Sequence, residues 1–173
     1  MPPRRIAEGL YFATKAIMKA ASVHELKREL LILPPKQVID LCLKLVRFKK
    51  ENKELLSYLL FDAHDTEAYL AAVKQEIDQQ FEELPKTNWF IIKKALRKIL
   101  RAIGKYSRHT NSKEADVEMM IHFCEKLNNS GIRFRSYKAL SALYEQQVKK
   151  LHILVEQVHE DLRFDYKKQL ERL

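Results

Sequence analysis

Residues 89–108 carry seven cations, Lys93, Lys94, Arg97, Lys98, Arg101, Lys105 and Arg108, and no acid. Wound at about 100° per residue, the seven fall within an arc of about 140°. Ile92, Ala95, Leu96, Ile99, Ala102, Ile103 and Tyr106 take the opposite side. That separation makes the segment an amphipathic helix whose apolar side needs a core. The arrangement is also self-repelling. Like charges stand at i,i+4 in the pairs 93/97, 97/101, 101/105 and 94/98, each disfavouring the helix by about 0.2–0.5 kcal/mol. Either the apolar face offsets this repulsion or an anionic partner lies opposite.

The remainder of the chain reads the same way. Only three glycines and five prolines occur in 173 residues, far too few for the many tight turns of an all-β fold. Good helix formers, with Leu, Lys, Glu, Ala and Gln foremost, dominate instead. The expectation is an all-α chain of about eight helices paired as antiparallel hairpins, either a short HEAT-like α-α superhelix or an irregular bundle. Residues 1–173 read as a single helical domain, long enough to bury a sizeable core.

Helix boundaries are marked by capping chemistry. Ser22 with Glu25 forms a capping box, Leu33-Pro34-Pro35 stops one helix and starts another, and Asn52 is a candidate cap for a short leucine-rich helix. Asp65 or Thr66 opens an acidic helix that Pro85 ends; Thr87 or Asn88 caps the basic helix, and Asn111 or Ser112 the next. Asn128-Asn129-Ser130-Gly131 terminates that one. From Ser136 an apolar stripe runs to the C-terminus, as one helix or with a break near Arg163. The Leu-Pro steps at 33–35 and 84–86 form a weak internal repeat.

Leu33-Pro34, the run Val38-Ile39-Asp40-Leu41-Cys42-Leu43-Lys44-Leu45 and then Glu54-Leu55-Leu56-Ser57-Tyr58-Leu59 set a leucine spacing over residues 25–69. In this segment the chain resembles a family of functionally uncharacterised, all-helical bacterial proteins. The resemblance implies helical-repeat packing and carries over no catalytic residue.

The net charge of +9 is unevenly spread. Residues 62–84 hold seven acids and one base, whereas residues 85–111 hold eight bases and no acid. An acidic helix followed by a basic one is the main charge pattern. The two cysteines, Cys42 and Cys124, stand far apart on apolar faces, which reads as buried, reduced thiols and a cytoplasmic setting. No run of about 18 apolar residues occurs, so no membrane span is expected. Residues 1–22 read as an amphipathic helix rather than a leader, because Lys15 and Lys19 interrupt the apolar run.

Candidate sites follow from charge. The seven cations of 89–108, flanked by Arg133 and Arg135 of an aromatic-rich loop, are the candidate surface for nucleic acid or an anionic partner. Phe90 projects within the basic arc, and cations that neutralise phosphates beside aromatics that stack bases suit non-specific nucleic-acid binding. The alternative is a basic face neutralised by the acidic helix beside it. Glu156 and His159 match the Glu-x-x-His spacing of di-iron bundles, but no second copy exists; Glu118 and His122 read as surface side chains. No metal, cofactor or catalytic constellation is implied, since no Gly-x-Ser-x-Gly or phosphate-cradling glycine loop occurs. The expectation is a non-enzymatic helical scaffold with a protein partner, nucleic acid being the alternative, and with oligomeric state open.

Overall fold

A computed structural model describes residues 20–85 and 88–173. The amphipathic helix expected over residues 1–22 therefore lies, through residue 19, outside the described residues. Among those described the chain is all-α, with eight α-helices and no strand. The chain divides into two units, residues 1–48 and 49–173.

The first unit contains α1 (Val23–Ile32) and α2 (Pro35–Phe48). Ser22 caps α1 through the capping box, its hydroxyl accepting from the Glu25 amide while Glu25 accepts from the Ser22 amide. Val38, Cys42 and Val46 form the half-buried edge of α2 at four-residue spacing, whereas Leu41 and Leu45, expected inward, are exposed. Cys42 is accordingly half-buried rather than sealed.

The second unit begins with α3 (Lys50–Ser57), capped at Lys49, so Asn52 lies within the helix instead of opening it. A π-helical turn, Tyr58–Asp62, follows and buries Tyr58. Then come α4 (Thr66–Glu82), α5 (Trp89–Thr110), α6 (Lys113–Asn129), α7 (Lys138–Val155) and α8 (Glu160–Leu170). Asp65, Asn88 and Ser112 are the caps, each side chain accepting main-chain amides that the helix leaves unpaired. The C-terminal stripe does break, but at residues 156–159 rather than Arg163. There His159 caps α8, and Arg163 Nε donates to the Val158 carbonyl.

Helix α6 is the axis of this unit. Val117, Met119, Phe123, Cys124 and Leu127 are fully buried on it, and α4, α5, α7 and α8 all pack against it. A helix with so wide a buried apolar face belongs at the centre of a bundle, and an irregular bundle is the form this unit takes. Burial pushes the Cys124 thiol up to about 12, so it stays protonated and unreactive.

Candidate partner-binding site

Why the basic face of α5 stays open begins with the polar edge that α6 keeps on its α4 side. Glu118, His122 and Lys126 follow one another at four-residue spacing and meet Lys74 and Asp78 of α4. Lys74 Nζ lies 2.7 Å from Glu118, and Asp78 lies 2.6 Å from His122 and 2.7 Å from Lys126. Burial alone would raise the Asp78 pKa, but the hydrogen bonds from Lys126 and His122 win and hold it below its usual value. Glu76 accepts from the Tyr106 hydroxyl and from Gln80. Of the acids of α4, Asp78 thus serves α6 and Glu76 the core edge at Tyr106. Among the described residues no acid of α4 pairs with a cation of α5, so the alternative of a basic face neutralised by the acidic helix is not the arrangement found.

The seven cations differ in setting. Lys94, Arg97, Lys98, Arg101 and Arg108 are exposed, and Lys93 is half-buried. Lys105, half-buried, forms the one ion pair of the set among the described residues, 3.2 Å from Glu54 of α3, and its ammonium sits 4.5 Å over the Tyr106 ring. On the opposite side Ile92, Leu96, Ile99 and Ile103 are buried as the sequence pattern requires.

Lys93, Lys94, Arg97 and Arg101 line a groove of about 880 Å³ beside α5. Its floor is apolar, formed by Leu100, Ile103, Met120 and Leu154, and Gly104 leaves a gap in it. A Cβ placed on Gly104 would meet nothing within 4 Å. Lys150 of α7 adds a cation, and Gln147, itself buried, bonds back to the Leu143 carbonyl at 3.2 Å. Asp116 of α6 also lines the groove, and its Oδ1 is buried with no hydrogen-bond partner among the described residues. At one end stand Trp89 and Phe90, their rings 6.0 Å apart edge to face, with Tyr137 stacked on Trp89 at 6.2 Å.

The flanking loop divides. Arg133 is exposed and does not line the groove. Arg135 is occupied within the fold: its Nη2 donates to Asn128 and the Leu173 main-chain oxygen, and its guanidinium covers the Phe134 and Tyr144 rings. Lys150 and Asp116 carry no sequence signal for this site, because only the packing of α6 and α7 on α5 brings them to it.

His109, in the last turn of α5, is buried in an aromatic cluster. Its Nδ1 lies 3.0 Å from the Tyr69 hydroxyl, and Tyr58 stacks on it at 5.8 Å. Burial, together with Lys105 and Arg108 and against Glu54, lowers the His109 pKa, while burial pushes Tyr69 up to about 12. Both groups are thus neutral near pH 7.

The di-iron spacing leads elsewhere. Glu156 pairs with Lys167 at 2.7 Å, and His159 caps α8. No group of three or more metal-ligating side chains occurs among the described residues, nor is any described helix long and apolar enough to cross a membrane. No family model, curated protein or solved structure matches the chain.

Proposed function

We propose that the chain is a non-enzymatic interaction protein that takes an acidic protein partner on the basic face of α5. One observation carries the reading: four of the seven cations border a groove with an apolar floor, and no acid of α4 neutralises them. Unpaired like charges at i,i+4 disfavour a helix, and an anionic partner relieves that repulsion while gaining apolar contact. Affinity purification of the chain from its native cell should retain a stoichiometric acidic protein, released by salt and lost with Arg97→Glu/Arg101→Glu. Recovery of the chain with a small metabolite in the groove, and no protein, would overturn the reading.

Single-stranded nucleic acid is the second reading, favoured by Trp89 and Phe90 at the end of the groove, where bases could stack beside the cations. It requires affinity that falls steeply with salt, because each neutralised phosphate releases counterions. A gel shift with DNA or RNA at low salt tests it, and no shift removes it.

A further inference from the structure

The groove has the shape and chemistry of a seat for a helix. Its α5 lining runs from Trp89 to Ser107, about 27 Å at 1.5 Å per residue. Along that length Lys93, Arg97 and Arg101 rise at four-residue intervals on one ridge, the interval at which acids of a facing helix also repeat. Beside this ridge lie the apolar floor residues, matched to an apolar stripe of i, i+3, i+4, i+7 spacing.

Gly104 adds an independent observation. It sits within α5, where glycine is a poor helix former, yet neighbouring protein atoms leave ample room for a side chain. A residue without Cβ keeps the floor low toward the Ser107 end, so that another backbone can approach closely there.

Resting on the reading of an acidic protein partner, we infer that the occupant is an acidic amphipathic helix of that partner. Its apolar stripe lies over Leu100, Ile103, Gly104 and Met120, and its carboxylates face Lys93, Arg97, Arg101 and Lys150. The partner helix packs by the rules that govern helices inside a domain, with the cations setting its orientation rather than most of its affinity.

The test uses the full chain and three fluorescent probes: an amphipathic Leu/Glu peptide of roughly 18 residues, a sequence isomer whose leucines share no face, and an oligodeoxythymidine. Trp89, the one tryptophan of the chain, lines the groove and is 40% exposed. Its emission should shift to the blue when the amphipathic peptide binds, a readout that needs no variant. The isomer should bind about tenfold more weakly or worse. Gly104→Leu, which raises the floor and leaves every charge in place, should weaken the peptide by a similar factor, with circular dichroism reporting that the fold is kept. Arg97→Glu/Arg101→Glu should abolish binding. Equal binding of the two peptides, an unmoved Trp89 emission or an indifferent Gly104→Leu would overturn the helical occupant while leaving an acidic partner standing. Binding of neither peptide would overturn both, and binding of the oligonucleotide alone would transfer the face to nucleic acid.

Discussion

Two glycines of the second unit should respond to alanine with opposite signs. Gly104 lies inside α5 with negative φ and open space where a Cβ would go. Alanine there adds no clash, removes the flexibility of the unfolded chain at that position and improves helix propensity. Together these stabilise by about 0.5–1 kcal/mol. Gly131, just after α6, has φ +72°, also with nothing near its missing Cβ. Space is not its constraint, because the left-handed backbone penalises any Cβ by about 1–2 kcal/mol. Alanine at 131 should therefore destabilise, by about 1 kcal/mol once the unfolded-state gain is subtracted. Thermal unfolding by circular dichroism resolves both, at about 2–4 °C per kcal/mol for a chain of this length. Gly104→Ala should melt higher than wild type and Gly131→Ala lower. A Gly104→Ala that melts lower would refute the open groove floor, and equal shifts at both sites would refute the left-handed turn.

Arg97→Gln/Arg101→Gln removes three of the four like-charge pairs and should stabilise the fold by about 0.6–1.5 kcal/mol at low ionic strength, the gain shrinking as salt screens it. A loss of stability in urea titrations would show that these arginines are paired. Burial lowers the pKa of His109 in the folded chain, so the unfolded chain takes up its proton first as pH falls. Wild-type stability should hold above about pH 6.5 and decline as pH drops from there through the lowered folded value; His109→Gln should lose that part of the decline, and identical pH profiles would contradict it. Phe123→Ala, which empties a fully buried site packed at 5.5 Å against Phe81, should cost about 3–5 kcal/mol in denaturant unfolding.

Much of this architecture is local and so was open to reading in the sequence. The caps at Ser22, Asp65, Asn88 and Ser112 work through hydrogen bonds to amides two or three residues away, and scarce glycine with a 3.6-residue apolar period leaves only helices. The inward face of α5 follows from the same period. The surroundings of its outward face do not. Seven acids beside eight bases are compatible with a neutralised face or an open one, because charge totals are blind to the rotation of a helix about its axis. Packing settled that rotation: α6 carries a wide apolar face, takes the centre, and aligns its polar edge Glu118, His122 and Lys126 against Lys74 and Asp78 of α4. Asp78 is thereby committed to α6 and Glu76 to Tyr106. Lys150 and Asp116 joined the basic stripe only through the docking of α7 and α6, contacts between separate helices that no local pattern encodes. The sequence by itself determined an all-α chain and a basic stripe on one helix; the tertiary structure decided that the stripe borders an open groove, because burying the wide apolar face of α6 outweighs pairing charges at the surface.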